Sequence, residues 1–261
     1  MARRIGVAGH RFFLEGAIPE SGLLPLSATD LHHLRDVLRL GVDDTIVVVG
    51  DGGDAAVVRL TFVAADGATA EIVERLAQSR IPRVVLVQGL AKGEKMELVI
   101  RQATELGVER IVPLSTSRSV VRLDAAKAAA RATRWRRIAA EAAKQSQRTS
   151  VPEIADLTDV PGLAGVLGDV ECTLVAWEDA DGAPGIGETL AAAVLTPDAA
   201  VAIVIGPEGG LSADEVATLV SAGARVVSLG SNVLRTETAG VVAAALVLYE
   251  RGGLGKEAPV A

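Results

Sequence analysis

The chain has 261 residues, 49% of them apolar and 23% charged, with a formal net charge of −7. That length suits one large domain or two ordinary ones, and the composition is that of a folded globular protein rather than a disordered one. A single cysteine, Cys172, excludes an internal disulfide and every multi-cysteine metal site, and no metal is expected. Six aromatic residues leave few stacking platforms of the kind that read single-stranded nucleic acid. Met1 to Leu14 lacks the apolar run of a secretion signal, and the longest apolar stretch, Val241 to Tyr249, is too short for a bilayer. A cytoplasmic protein without a membrane partner is expected.

Residues 1–78 read as a β-rich domain. Thr29 can cap a short helix, Asp30 to Leu40, that carries His32, His33, Arg35 and Arg39. Strands follow at Thr45 to Gly50, Ala55 to Ala64 and Thr69 to Val73, joined by turns at Asp51-Gly52-Gly53-Asp54 and Asp66-Gly67. Short strands with tight turns predict a small barrel. Gln78 to Pro82 reads as a linker.

From Arg83 the periodicity changes. The run VVLVQGL (84–90) is a buried strand, and Glu94 to Leu106 repeats apolar residues at helical spacing until Gly107. A strand from Arg110 to Leu114 completes a β-α-β unit, which implies a parallel sheet with a right-handed crossover. A long Ala/Arg-rich helix spans Asp124 to Ser146. Further strands lie at Thr173 to Ala176, Val201 to Ile205 and Arg225 to Leu229, with helices at Ala213 to Ala222 and Glu237 to Arg251. The fold class is therefore α/β, with a smaller β domain in front of an α/β domain over 83–251.

Charge is unevenly spread. Residues 80–150 hold 15 basic and 6 acidic side chains, whereas 151–261 hold 4 and 16. A positive middle in an acidic chain steers polyanions such as RNA, unless the basic helix simply pairs with the acidic third. Lys127, Arg131, Arg134, Glu141, Gln145 and Arg148 fall on one face at helical spacing, beside a buried stripe of Trp135, Ile138 and Ala142. Such a face suits phosphate contacts.

Two segments look able to hold a small ligand. In VAIVIGPEGGLSADE (201–215) a strand runs into Gly206-Pro207-Glu208-Gly209-Gly210, and Ser212 with Glu215 forms a capping box for the next helix. Glycines there let backbone amides approach a ligand at the carboxyl end of a strand. The pattern is neither a dinucleotide fingerprint nor a Walker loop. In LGSNVLRTETAG (229–240) a second strand ends near Gly230, and a helix starts with Thr236 or Thr238 as its cap and Arg235 and Glu237 at its entry. Placed at neighbouring strand ends, the two loops would make one pocket. His10, His32 and His33 form no metal set, since the adjacent pair points apart.

The chain resembles the RsmE family of 16S rRNA (uracil-N3)-methyltransferases, within the SPOUT class of S-adenosylmethionine enzymes. The resemblance rests on Arg11-Phe12-Phe13, on His32-His33-Leu34 through Val37-Leu38-Arg39, and on KGEKMELVIRQATELGV (92–108). It continues through Arg118-Ser119-Val120-Val121, Trp135, EAAKQSQR (141–148), Pro152, IGPEGGLS (205–212) and LRTETA (234–239). Ser117 and Lys144 depart from it, each standing where the family often has an acidic residue.

The resemblance implies an N-terminal PUA-like β-barrel that binds RNA over 1–78 and a C-terminal SPOUT domain with a deep trefoil knot over 83–251. It further implies a homodimer, S-adenosylmethionine as cofactor, and 16S rRNA in the small ribosomal subunit as partner, with 3-methyluridine in the decoding region as product. Gly206, Pro207, Glu208, Gly209, Gly210, Leu229, Ser231, Leu234 and Thr236 are then the cofactor candidates. Arg235 is expected to stabilise a uracil anion, with Glu237 or Glu208 as base. Arg11, His33, Arg39, Arg118, Arg134, Gln145 and Arg148 are the RNA candidates. A SPOUT ribose 2′-O-methyltransferase and a non-catalytic ribosome-assembly factor remain open alternatives; a nucleotide-binding oxidoreductase is disfavoured by the missing fingerprint.

Overall fold

The computed structural model describes residues 10–50, 54–76 and 82–255. Residues 51–53 of the turn expected at 51–54, residues 78–81 of the linker expected at 78–82, and the tail beyond 255 lie outside the described residues. The chain divides into two compact units, the first built from the residues before 80 together with 147–150, the second from most of the remainder.

The first unit contains strands β1 (Arg11–Phe13) and β2 (Ser21–Leu23), helix α1 (Ala28–His32), and strands β3 (Thr45–Val49), β4 (Ala55–Ala64) and β5 (Gly67–Leu76). Its sheet order is β1-β3-β4-β5-β2, with β1 parallel to β3 and the other pairs antiparallel. A closed barrel was expected; among the described residues β1 and β2 are the two edges of an open sheet. Phe12, Leu34, Ile46, Val48, Val58 and Leu60 fill its core.

Local chemistry corrects three details of this unit. Ser27, not Thr29, caps α1, its hydroxyl accepting the Asp30 amide at 3.1 Å. The helix then widens into a π-helical turn over His33–Val37, where a regular helix was expected. The β4–β5 turn is Ala65-Asp66, and Gly67, paired with Ala64, is already the first residue of β5.

The second unit alternates strands and helices: β6 (Val84–Gly89), α2 (Lys95–Leu106), β7 (Arg110–Ser115), α3 (Ala125–Gln145), β8 (Glu153–Ile154), β9 (Thr158–Asp159), α4 (Val160–Val166), β10 (Cys172–Ala176), α5 (Ile186–Ala191), β11 (Val201–Ile205), α6 (Ala213–Ser221), β12 (Arg225–Val227) and α7 (Thr236–Glu250). The strands form one parallel sheet in the order β12-β10-β11-β6-β7-β8, with β9 also on β7. Both faces are covered, so its central strands β6 and β11 are apolar except for Gln88 and Gly89 at the end of β6. Val84, Leu86, Val201 and Ile203 pack with α2 and α7, whereas Val85, Val87, Ala202 and Val204 pack with α4 and α6.

Helix ends in this unit follow their residues. Gly107 closes α2 at φ 109°, a left-handed conformation that costs glycine little. Asp124 caps α3 by accepting the Lys127 amide at 2.8 Å. The loop between β10 and α5 and the two short helices α4 and α5 have too few periodic residues to be predicted from pattern. No helix among the described residues is long and apolar enough to cross a membrane.

Candidate active site

Ligand sites in open parallel sheets lie beyond the carboxyl ends of the strands. Here β10, β11 and β12 each end in a loop that lines one cavity of about 410 Å³. β11 leads into Gly206–Gly210, β12 into Ser228–Arg235 before α7, and β10 into Trp177 and Glu178. The two glycine loops were expected at neighbouring strands. They are one strand apart, and β10 between them contributes the third wall.

Close backbone packing holds the first loop. A Cβ on Gly206 would sit 2.8 Å from the Gly210 carbonyl carbon, and Gly210 itself has φ +69°. Arg118 braces the loop from outside, its guanidinium donating to the Gly209 and Leu211 carbonyls at 3.2 and 3.3 Å. The capping box expected at Ser212 and Glu215 is present, and the Glu215 carboxylate also accepts the Ser117 amide at 2.7 Å. Burial pushes the Glu215 carboxyl up, but the amide hydrogen bonds from Ser117 and Ser212 outweigh it and hold the group below its ordinary value. Its contribution to stability is therefore present above the unfolded-state value and disappears as pH falls through the folded one. Glu215→Gln is expected to flatten the acid limb of a pH–stability curve, which denaturant titrations at stepped pH would record.

The second loop is held differently. Arg235 stands at the N-cap of α7 without a side-chain capping bond, and neither Thr236 nor Thr238 is the cap. Instead the Thr236 hydroxyl turns inward and donates to the Gly206 carbonyl at 2.6 Å. Arg235 is exposed at the cavity wall, and while its carbonyl accepts the Thr238 and Ala239 amides at 2.8 Å, its guanidinium forms no hydrogen bond or ion pair with another described residue.

Lys95, at the start of α2, reaches the same cavity. Its ammonium lies 3.0 Å from Glu237 and 3.4 Å from Glu208. The Lys92 amide also donates to Glu208 at 3.1 Å. A hydrogen bond from its own amide, aided by the Lys95 ammonium and opposed by burial, holds the Glu237 carboxyl below its ordinary value. The hydrogen bond to Glu237 raises Lys95 in turn.

Nine of the cofactor and catalytic candidates line the cavity: Gly206, Pro207, Glu208, Gly210, Leu229, Ser231, Leu234, Arg235 and Thr236. Gly209 instead packs against Arg118, and Glu237 sits behind the wall on Lys95. Lys95, Trp177, Glu178, Asn232 and Val233 were missed. The end of the 172–176 strand was a readable signal for Trp177 and Glu178. For Lys95 nothing local distinguished it from a solvent-facing lysine.

The RNA candidates are scattered. His33 and Arg39 are exposed in the first unit, His33 edge-on to Phe12 at 6.3 Å. Arg11 lies on β1 with its guanidinium partly buried, which lowers its pKa. Arg118 is engaged with the glycine loop, and Arg134 pairs with Glu97 at 2.8 Å. Gln145 is the exposed last residue of α3.

Arg148 does not continue the helix face as expected. The helix stops at Gln145, Gln147 takes φ 56°, and Arg148 is buried with a hydrogen bond to Ser150 at 3.3 Å. Part of the basic excess pairs with the acidic third, Arg83 and Arg110 with Asp169 and Arg136 with Asp156. Arg101, Arg122 and Arg131 have no ion-pair partner among the described residues.

Comparison with known proteins agrees with this geometry. The RNA methyltransferase domain family matches residues 78–248. A Bacillus subtilis protein named ribosomal RNA small subunit methyltransferase E is 33% identical over 246 residues, covering 92% of this chain and 96% of its own. Its namesake from Mycobacterium bovis is 31% identical over 238 residues, 88% of each chain. The crystal structure of a ribosomal RNA small subunit methyltransferase E from Neisseria gonorrhoeae bound to S-adenosyl methionine matches with a TM-score of 0.77 at 28% identity, over 92% of this chain and 96% of that one. A matched domain over most of the chain, and relatives alike along almost their whole length, place this protein in the ribosomal RNA small subunit methyltransferase E family of RNA methyltransferases.

Proposed function

We propose that this chain transfers a methyl group from S-adenosylmethionine to N3 of a uridine in the decoding region of 16S rRNA, acting on the assembled small subunit. The observation that carries the donor part is the cavity beyond β10, β11 and β12. Ile205, Leu229, Leu234 and Ala239 give it apolar walls, and the Gly206 and Gly210 backbone gives it main-chain groups, a combination suited to a flat adenine and its ribose. Its volume is in the range of small-ligand sites. The rRNA part is supported by the names of the relatives.

S-adenosylmethionine, when bound, supplies an electrophilic methyl on a sulfonium that leaves neutral, so no residue need act as acid. The work of the protein lies at the acceptor, since uracil N3 carries an imide proton. Arg235, unpaired at the cavity wall, is placed to stabilise negative charge developing on O2 or O4 of the uracil. Glu237 and Glu208, the carboxylates expected as bases, are both engaged by Lys95. Glu237, held below its ordinary pKa, accepts a proton poorly and fixes Lys95 in the cavity wall, which leaves Glu208, on the cavity lining, to take the imide proton from N3 as the methyl arrives.

The same reading makes residues 1–78 a PUA-like RNA-binding domain and residues 83–251 a knotted SPOUT domain, working as a homodimer in the cytoplasm. Exposure supports His33, Arg39, Arg134 and Gln145 as RNA contacts, whereas burial of Arg148 favours a supporting role. The test is methyl transfer from labelled S-adenosylmethionine to small subunits lacking the modification, followed by nucleoside analysis. Label in 3-methyluridine is the expected result. Label in a 2′-O-methylated nucleoside would replace the acceptor, and tight subunit binding without label would make the protein an assembly factor.

A further inference from the structure

Gln88 is the polar side chain that the proposed chemistry leaves unexplained. It sits on β6 opposite Ile205 of β11, one residue before the glycine loop, and is fully buried. Its Nε2 donates to the Thr236 hydroxyl at 2.8 Å and to the Gly89 carbonyl at 3.2 Å. The Thr236 hydroxyl has one proton, and that proton goes to the Gly206 carbonyl at 2.6 Å. Thr236 must therefore accept from Gln88, which settles the direction of the amide.

The far end of the same amide is costly. Gln88 Oε1 has no hydrogen-bond partner among the described residues. It occupies the space beside Gly240 of α7, where a Cβ would collide with it. A buried amide oxygen left without a partner destabilises a fold, and an apolar residue of the same shape would avoid that. A strand of valines and leucines had every alternative at this position. The two bonds from Nε2 are thus set against an unpartnered oxygen at the other end of the amide, so the net stabilisation from this glutamine is small.

We propose that Gln88 is a positioning residue for donor binding. Through the Thr236 hydroxyl it orients the Gly206 carbonyl and so sets the spacing between the two loops that hold S-adenosylmethionine. The relay joins the strand under the first loop to the first turn of the helix after the second. Gly206 and Thr236 line the cavity, and Gln88 does not. This inference rests on the donor reading of that cavity.

The experiment is calorimetric titration of S-adenosylmethionine into the full-length protein, with thermal melts alongside. Gln88→Leu and Thr236→Val are each expected to weaken donor affinity by about tenfold, the scale of one lost buried hydrogen bond. Gln88→Leu should melt no lower than the parent, because it also removes the orphaned oxygen. Thr236→Ser, which keeps the hydroxyl, should restore nearly full affinity. In the double variant Gln88→Leu/Thr236→Val the losses should not add, as expected for one relay. Additive losses, or unchanged affinity in both single variants, would overturn the proposal while leaving the donor site intact. Failure of the parent chain to bind S-adenosylmethionine would remove the donor reading itself, and the relay's role with it.

Discussion

Arg235→Ala is expected to lower kcat for methyl transfer by about two to three orders of magnitude while leaving the affinity for S-adenosylmethionine nearly unchanged. The guanidinium is exposed, lines the cavity and has no hydrogen bond or ion pair among the described residues, so its removal costs only a through-space attraction to Glu237. Charge that develops on the uracil during transfer would then lack its cation, and the loss falls on the transition state rather than on either ground state. Arg235→Lys keeps the charge but not the planar fork, and should recover only part of the rate. Single-turnover kinetics on small subunits, with donor affinity measured separately, would separate these effects. Loss of donor binding in Arg235→Ala would reassign the residue to the donor site.

The largest structural effect is expected at Gly89→Ala. A Cβ there would run into the Pro207 nitrogen and lie 2.7 Å from the Gly206 carbonyl carbon. Both are backbone atoms of a loop tied down by Arg118, Thr236 and its own close packing, so neither can yield cheaply. A penalty of about 3 kcal/mol is expected, lowering Tm by roughly 10 °C in a chain of this size. Donor affinity should fall with it, because the displaced atoms belong to the cavity wall. Gly165→Ala in α4 is the control, since a Cβ at Gly165 meets nothing within 4 Å and alanine is the better helix former. A Gly89 variant with parental Tm and affinity would show that β6 and the loop are not packed as described.

Arg235 was legible because a lone arginine at a strand–loop–helix junction, in an otherwise uncharged loop, is a local pattern. The strands at 84–89 and 201–205, the α2 stripe, the Gly107 stop and the Ser212–Glu215 box were legible for the same reason. Each depends on residues within about one or two turns of one another. The fold class and the two loops of the candidate site follow from such patterns.

Where local reasoning extended a period beyond its element, it failed. Arg148 was placed on the α3 face, but Gln147 in a left-handed conformation ends the helix first. Thr236 read as a cap, yet its hydroxyl is drawn to the Gly206 carbonyl, 30 residues away in sequence.

By itself, then, the sequence determined the strand–helix alternation, the glycine loops and the arginine between them, since backbone preference and burial pattern act over short range. Only the tertiary structure decided that β10 separates β11 from β12, that Lys95 bridges Glu208 and Glu237, and that Gln88 reaches Thr236 across 148 positions. Strand order and buried polar pairing are chosen by which distant surfaces can be brought together with every donor and acceptor accounted for, and no local period encodes that choice.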